Sequence, residues 1–193
     1  MARVGMRHLV CAPITTETTG SAIAYGTGML MGRAVRGNLQ WERNDNPLYG
    51  DDVEAESDNG VTGYTLDVGT TELLENVAAA VLGLTAGTGE GHTDEYETTD
   101  AAAPYVGCGY IQVLRRKGET KYKALWYHKV QFGIQSEESR TKEKTITWGT
   151  PELHGTGFGV YNDNSGKAKF RIEKLCATEA AAITWLNGLA GIT

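Results

Sequence analysis

Hydrophobic and polar residues alternate with a period of two along much of this chain, which is the pattern of β-strands with one buried face. The longest strand-like runs are Tyr105–Leu114 and Tyr122–Phe132, separated by a turn over Lys117–Glu119. Two such runs around a tight turn predict a β-hairpin. Further strand-like runs lie at 9–12, 34–41, 61–68, 145–150, 151–160 and 168–176. Sequential strands predict an antiparallel sheet and disfavour a nucleotide-binding α/β core.

The second strand of this hairpin has two unlike faces. The face that suits burial consists of Tyr122, Ala124, Trp126, His128, Val130 and Phe132. The opposite face is cationic, with Lys121, Lys123 and Lys129, yet it also displays Leu125 and Tyr127. A strand in water has little reason to expose two large apolar side chains. We therefore expect Leu125 and Tyr127 to contact a neighbour.

Two segments show a helical pattern instead. The first is 71–82, where Thr70 or Thr71 can cap the start and Gly83 can end the helix. Its apolar stripe consists of Leu74, Val77, Ala78 and Val81, with Leu73 beside it. The second is Glu179–Leu189, which Thr178 can cap. Between the first helix and the long hairpin, residues 85–103 are rich in glycine, threonine and acids, and this composition predicts a long flexible loop.

The length and composition favour one domain over residues 1–193. With 25 Gly against 4 Pro, the chain suits turns and bulged strands more than a helical bundle. Its net charge of −6 disfavours a protein that works by attracting phosphates. The charge is uneven, because residues 42–100 hold 15 acidic and 1 basic residue (−14), whereas 115–144 hold 9 basic and 4 acidic (+5). These two segments are therefore candidates for complementary contacts.

The acidic segment from Asn44 to Asn59 admits three interpretations. A calcium-binding EF-hand with Gly60 at its sixth position would place Ala55 at the first, where a carboxylate is needed, so that motif fails. A solvated acidic loop is the simplest interpretation, and a contact between copies of the chain is the third. The candidate contact residues in this segment are Asn44, Asp45, Leu48, Tyr49, Asp51, Asp52 and Glu54.

No motif in the sequence points to catalysis. The histidines, His8, His92, His128 and His154, form no HExxH motif or close pair. His128 alternates with apolar residues, which favours a core histidine over a general base. Gly166–Lys167 lacks the flanking residues of a P-loop, and there is no GxSxG elbow. We therefore do not expect an enzyme, and the sequence implies no metal or cofactor.

The cysteines and the apolar segments indicate the cellular compartment of the protein. Cys11, Cys108 and Cys176 are widely spaced without a CxxC pair, which fits small buried thiols that stay reduced in a cytosolic product. The apolar run from Leu9 to Ile14 is shorter than a secretory signal core and contains Pro13. No segment approaches the roughly 20 apolar residues that span a bilayer. We therefore expect no membrane association.

Several segments, in collinear order, resemble the major tail protein family of phages with long non-contractile tails. The resemblance lies in Asn44–Tyr49, Ala55–Asp58, Ala103–Gly107, Tyr122–Trp126, Lys129–Phe132, Thr150–Thr156, Thr178–Ala180 and Trp185–Ile192. None of these segments is a chemical signature alone, but their order over nearly the whole chain is specific. The chain departs from the family at Thr85–Thr98, so the resemblance says nothing about the role of that loop.

The resemblance implies a tail tube subunit. Its fold would be an antiparallel β-sandwich or barrel with one flanking α-helix and a short C-terminal helix. Six copies would close into a ring, and rings would stack head to tail into a hollow tube through which DNA passes. The implied partners are other copies, DNA in transit, and tail proteins such as the tape measure and the terminator. The location would be the virion tail, with the host cytoplasm during assembly.

A negatively charged chain suits such a conduit, because a basic bore would hold the phosphates of DNA. We therefore expect a lumen of net negative potential. The competing class is a small β-rich binding or adhesion module whose acidic loops hold a ligand or calcium. A monomer that stays monomeric at high concentration and gains stability with calcium would favour that class.

Overall fold

The computed structural model describes residues 1–44, 46–50, 53–58, 60–84, 91, 103–136 and 150–192. Two α-helices, α1 (Glu75–Leu82) and α2 (Glu179–Ala190), accompany the strands. The strands are β1 (Ala2–Thr16), β2 (Ala24–Tyr25), β3 (Met29–Leu30), β4 (Ala34–Arg43), β5 (Asn46–Gly50), β6 (Val53–Asp58), β7 (Val61–Thr70), β8 (Tyr105–Arg116), β9 (Glu119–Ser136), β10 (Glu152–Gly157) and β11 (Arg171–Cys176).

The main sheet has nine strands in the order β2-β1-β8-β9-β10-β7-β4, with β3 also paired to β1 and β11 also paired to β9. All of its strand pairs are antiparallel. Strand β9 is long enough to pair with β11 over 122–127 and with β10 over 130–136. The expectation of a mainly β, antiparallel fold with two helices is confirmed, and the arrangement is consistent with a β-sandwich.

The larger hydrophobic core forms because this sheet folds over on itself. Strands β7 and β9 are separated in the sheet by β10, yet the rings of Tyr64 and Tyr127 have centroids only 5.4 Å apart. Leu9 and Cys11 of β1 belong to the same core. Helix α1 adds its buried face, which consists of Val77, Ala78 and Val81. One layer of strands thus covers the other.

A second core lies on the opposite face of β1, β8 and β9. Here α2 buries Ala182 and Leu186 in a cluster with Trp126 and Ile111. Successive side chains of β1 point to opposite faces of the sheet. Leu9 and Cys11 therefore lie in the first core, and Val10 and Ala12 lie in the second. The central strands are therefore apolar on both faces, and the fold has three layers.

This arrangement corrects the expectation for Leu125 and Tyr127. Their relative exposures are 1% and 0%, and both side chains belong to the first core. Tyr127 is covered by Tyr64 of the chain's own β7, because the sheet folds back over β9, and Leu125 lies in the same core. Neither side chain is on the surface of the chain, so the prediction that these two residues contact another copy is wrong for this structure.

A β-bulge changes which side chains of β9 share a face. Val106 pairs with Val130 and Cys108 pairs with Tyr127, so β9 has one residue more than β8 between these pairs. Tyr122, Ala124 and Trp126 contribute to the second core, as one face of the predicted strand requires. Beyond the bulge, Val130 and Phe132 belong to the first core together with Tyr127. The predicted single face of six residues is therefore wrong for its C-terminal part.

The predicted helices are confirmed with one difference in their starts. Thr178 caps α2 as expected, because its Oγ1 accepts a hydrogen bond from the Ala181 amide at 3.3 Å. Helix α1 begins only at Glu75, and its first flanking residue, Leu74, makes no side-chain cap. The hydroxyl of Thr70 is engaged elsewhere, since it donates to the carbonyl of Glu72. Gly83 and Gly191 end the helices with positive φ of 73° and 67°.

The strand predictions at 34–41, 61–68 and 168–176 are confirmed by β4, β7 and β11 with small shifts of their ends. The first strand is longer than predicted, since β1 covers Ala2–Thr16. The acidic segment contains the paired strands β5 and β6, so its interpretation as a loop is wrong for the described backbone. Of the strand predicted at 145–150, only Thr150 lies within the described residues, and most of the loop predicted at 85–103 lies outside them.

The packing of α2 can be tested by truncating Leu186, which is fully buried in the second core. We expect Leu186→Ala to lower the free energy of unfolding by about 2–5 kcal/mol, because it leaves a cavity between α2 and the sheet. Thr184→Ala is the control, since Thr184 is exposed on the same helix, and we expect it to change stability by less than about 0.5 kcal/mol. Urea unfolding measures both. Equal effects of the two substitutions would contradict the docking of α2.

Candidate assembly surfaces

The β5–β6 hairpin is separate from the main sheet. Its strands pair from Asn46 opposite Asp58 to Gly50 opposite Val53, and they form a two-stranded sheet of their own. The amide of Asn44 donates to the carbonyl of Gly60 at 2.8 Å and closes the base. Among the described strands, β5 and β6 pair with no other. A two-stranded hairpin is only marginally stable in water, so contact with a further element would stabilise this one.

The predicted contact residues fall on this hairpin and at its base. Asn44 follows β4, Leu48 and Tyr49 belong to β5, and Glu54 belongs to β6. Asp45, Asp51 and Asp52 lie outside the described residues. The described part of the chain contains no cluster of three or more His, Cys, Asp or Glu side chains arranged to hold a metal ion. Calcium binding by this segment therefore stays a prediction that concerns residues outside that part.

Strand β4 is an edge of the main sheet. It pairs with β7 on one side, and no described strand pairs with its other side. Val35 on this strand is 51% exposed, and Trp41 is also partly exposed. Strand β11 is a second edge, where Leu175 is 56% exposed. Open edges with exposed apolar residues are templates for pairing with another chain.

A basic region forms where β1 begins and the β8–β9 hairpin turns. We call it the basic tip, and it comprises residues 2–7 and 112–123. The turn itself has positive φ at Lys117 and Gly118, 47° and 84°, as a tight two-residue hairpin turn requires. The tip holds seven basic residues and one acidic residue, Glu119. The basic residues are Arg3, Arg7, Arg115, Arg116, Lys117, Lys121 and Lys123.

Three of these cations have ion-pair partners in the chain. Arg7 lies 2.7 Å from Glu179 at the start of α2, and Lys123 lies 2.5 Å from Glu173 of β11. The hydrogen bond from Lys123 lowers the pKa of Glu173 below its ordinary value. Lys121 pairs with Glu119 at 2.9 Å. The other four, Arg3, Arg115, Arg116 and Lys117, are exposed and have no ion-pair partner among the described residues.

A shallow groove of about 340 Å³ runs along one face of the basic tip. Its lining includes Val4, Arg7, Val113, Arg115, Thr120 and Tyr122. This is the face that carries α2, because Arg7 reaches Glu179 there and Tyr122 packs against the second core. The groove is therefore lined by both apolar and cationic side chains.

A different surface, the outward side of β4, β7 and β10, is polar throughout its centre. Asn38, Asp67 and His154 form one row across the three strands, with Asn38 Nδ2 3.3 Å from Asp67 Oδ2 and His154 Nδ1 2.5 Å from Asp67 Oδ1. Gln40, Thr65 and Thr156 form the next row. We call these six residues the polar face. It contains one carboxylate and no lysine or arginine.

His128 is a core histidine, as its position in the pattern predicted. It is 6% exposed, and the Tyr25 hydroxyl donates to its backbone carbonyl at 3.0 Å and lies 3.4 Å from its Nδ1. Its Nε2 is buried without a hydrogen-bond partner in the described part of the chain. Burial, with a smaller contribution from the charge of Lys169, lowers the pKa of His128 to about 4.

The cysteines are buried as expected. Cys11 and Cys108 are directly opposite each other on β1 and β8, and both are free thiols in the first core. Burial raises the pKa of Cys11 to about 12 and that of Cys108 well above its ordinary value. Cys176 is buried under α2. A thiol reacts as its thiolate, so Cys11 and Cys108 have little reactivity near neutral pH.

Comparison with known proteins adds no assignment. Neither the models of known protein families nor the curated proteins contain a match to this chain. Within the described residues, no helix combines the length and the apolar character needed to cross a membrane. The tail protein resemblance thus rests on the sequence segments alone.

Sequence reasoning found only part of these surfaces. The acidic segment and the basic segment 115–144 were recognisable by charge, but Arg3 and Arg7 join the basic tip only because β1 pairs with β8. The polar face was missed entirely. Its signal was the alternation of Thr65 and Asp67 with the buried Tyr64, Leu66 and Val68.

His128 gives the chain a defined response to acid. Its pKa is about 6.5 when unfolded and about 4 in the fold, so the unfolded chain binds more protons between these values. Stability should therefore be complete above pH 6.5 and fall as the pH drops towards 4, by roughly 3 kcal/mol in all. Urea unfolding at a series of pH values from 8 to 4 measures this loss of stability.

The matched variant for this experiment is His128→Gln, which keeps a polar side chain but cannot titrate. We expect its free energy of unfolding to vary less with pH over this window than that of the wild type. Measurements below pH 4 are best left out, because the hydrogen bond from Lys169 lowers the pKa of Asp163 to about 2 and adds a second acid-sensitive group there. The same pH dependence in both proteins would show that His128 does not carry the effect.

Proposed function

We propose that this chain is a structural subunit that works only as an assembly, and specifically the tail tube subunit of a phage with a long non-contractile tail. The observation that carries the proposal is the β5–β6 hairpin, a two-stranded sheet paired with no other described strand of its own chain. The sequence segments that resemble the major tail protein family supply the particular kind of assembly. Asn44–Tyr49 and Ala55–Asp58, two of those segments, lie in and beside this hairpin.

The open edges of the main sheet support a ring of copies. Strand β4 offers unpaired backbone groups along Ala34–Arg43, and β11 offers a second edge near Leu175. Pairing between unlike surfaces of identical copies is heterologous, so it closes into a ring if the rotation between copies closes. Backbone pairing at an edge also needs no special side-chain chemistry. A chain with two open edges has what such a ring requires.

The polar face suits the wall of a bore. DNA passes a wall easily when the wall neither pairs with its phosphates nor offers apolar patches for bases to stack on. The polar face provides neutral polar side chains around the single carboxylate of Asp67. We therefore place the polar face towards the lumen in the proposed tube, which would give the lumen a weakly negative potential.

The proposal is tested by electron microscopy and light scattering of the purified protein over a range of concentrations. We expect rings or tubes for the wild type. We expect Asp51→Lys with Asp52→Lys and Glu54→Lys to block tube growth, because the hairpin then carries the wrong charge for a basic partner. Glu72→Lys is the control, since it reverses an exposed acid far from the hairpin in sequence and should leave growth unchanged. A wild type that remains monomeric at every concentration would overturn the proposal.

The lumen assignment has its own test in assembled tubes. We expect Thr65→Lys with Thr156→Lys to make tubes retain double-stranded DNA at low salt, because two lysines per copy would line the bore and hold phosphates. Lys167→Glu, an exposed charge change in the turn before β11, is the comparison and should not cause retention. Cosedimentation of DNA with tubes measures the effect. Retention by wild-type tubes, or none by the lysine variant, would contradict this orientation.

A further inference from the structure

We propose that Cys11 and Cys108 form a redox site, at which a small-molecule disulfide converts the two thiols into a disulfide bond between β1 and β8. The two residues are direct partners in the pairing of these strands, and both side chains lie in the first core. The inference goes beyond the proposed function and does not depend on it. It makes the stability of the fold depend on the redox state of the surroundings.

The backbone hydrogen bonds of β1 show which kind of cross-strand pair the two cysteines form. The carbonyls of Leu9 and Pro13 accept hydrogen bonds at 3.0 and 2.8 Å from amides of segment 26–31, which lies on the side of β1 opposite β8. Backbone polar groups alternate between the two sides of an antiparallel strand, so those of Cys11, midway between Leu9 and Pro13, also point away from β8. Cys11 and Cys108 are therefore a non-hydrogen-bonded pair.

A pair of this kind brings two side chains close enough to bond. Its Cα atoms lie about 4.5 Å apart, against about 5.5 Å in a hydrogen-bonded pair. Disulfides join residues whose Cα atoms are about 4.4–6.8 Å apart. Burial, followed by the proximity of Cys11, raises the pKa of Cys108, as expected for two thiols that lie side by side. The bond can thus form without a rearrangement of the sheet.

The third cysteine, Cys176, lies too far from this pair to compete for it. It belongs to the second core, beneath α2, whereas Cys11 and Cys108 belong to the first core on the opposite face of the sheet. The chain has 3 cysteines in all. Oxidation of the folded chain should therefore join one defined pair and leave Cys176 as a free thiol.

The reaction is two successive thiol–disulfide exchanges. The thiolate of one cysteine attacks a sulfur of the small disulfide, forms a mixed disulfide and expels one small thiolate. The thiolate of the other cysteine then attacks the protein sulfur of the mixed disulfide and expels the second small thiolate. The two protons of the protein thiols pass to the two small thiolates. The two protein sulfurs are oxidised by two electrons in total, and the small disulfide is reduced by the same two electrons.

The bond would stabilise the fold by restricting the unfolded chain. It would close a loop that runs from β1 to β8 and contains β4, β7 and α1. The stabilisation by a crosslink grows with the length of the loop that it closes. A reducing cytosol would keep the thiols free, and an oxidising medium would favour the bond. The same chain would thus be more stable after it leaves the cytosol than before.

The test identifies the bond by peptide mapping. Reduced protein is treated with oxidised glutathione in two ways, in the folded state until the reaction stops and during refolding from urea, because burial slows the reaction of the folded thiols. Both samples are then unfolded, alkylated, digested and analysed by mass spectrometry. We expect a peptide pair linked through Cys11 and Cys108, with Cys176 alkylated. Oxidation in urea is the reference, since links that involve Cys176 should appear there.

Thermal melting tests the effect on stability. We expect the oxidised protein to melt about 5–15 °C above the reduced protein, and dithiothreitol to remove the difference. Cys176→Ala is the matched control, since it also removes one buried thiol but should keep the full increase on oxidation. Cys11→Ala should show no increase.

The peptide map of the unsubstituted protein decides the matter even if a variant fails to fold. Three alkylated cysteines after both treatments, or a link that includes Cys176 in the folded protein, would overturn the redox site. A linked protein that melts no higher than the reduced one would overturn its effect on stability. None of these results depends on whether the chain forms tubes.

Discussion

The whole architecture depends on the burial of β9 on both of its faces. Ala124 and Trp126 point to the core beneath α2, while Leu125 and Tyr127 point to the core beneath β7, and all four are at most 1% exposed. Removing apolar surface from water is the main driving force of folding, so a strand with two apolar faces requires a layer on each side. The sheet must fold over to supply one layer, and α2 must dock to supply the other. The open surfaces of the molecule are what remains after these two requirements are met.

This constraint also explains how the chain can have both a packed interior and surfaces suited to assembly. The two cores use the central parts of β1, β8 and β9, whereas the ends of the same strands extend past them and carry the basic tip. Strands β4 and β7 meet the hairpin base at Asn44 and Gly60. Stability therefore resides in the two cores, and the basic tip lies outside them. A charge substitution on the basic tip should spare the fold.

The parts of the fold that could be predicted are those with a local signal. Thr178 followed by an apolar stripe marked α2, and alternation marked β4 and β7. The bulge in β9 had no such signal, since one extra residue near His128 leaves the run of apolar residues unbroken and only shifts which of them share a face. The burial of Tyr127 was equally hard to predict, because it comes from Tyr64 on a strand distant in sequence. Packing between residues distant in sequence determines both the faces of β9 and the burial of its side chains.

The candidate site divides in the same way. Charge counting found the acidic segment, but it missed the strand pairing within it, because Leu48 and Tyr49 are adjacent and the alternation over Val53–Glu56 is short. It found Arg115, Arg116 and Lys117, but it could not assign Arg3 to the same region before the pairing of β1 with β8 was known. The charge of a segment can be counted from its sequence. Which charged residues come together at a groove depends on how the sheet folds.

The burial of all three cysteines has a practical consequence for watching such contacts form. Their thiols are enclosed in the two cores and carry raised pKa values at Cys11 and Cys108, so alkylating reagents reach them slowly. A cysteine introduced at an exposed position would thus be the one rapidly labelled group in the chain. Fluorophores or spin labels could then report on single chosen sites, and the native thiols could stay in place without any loss of core packing.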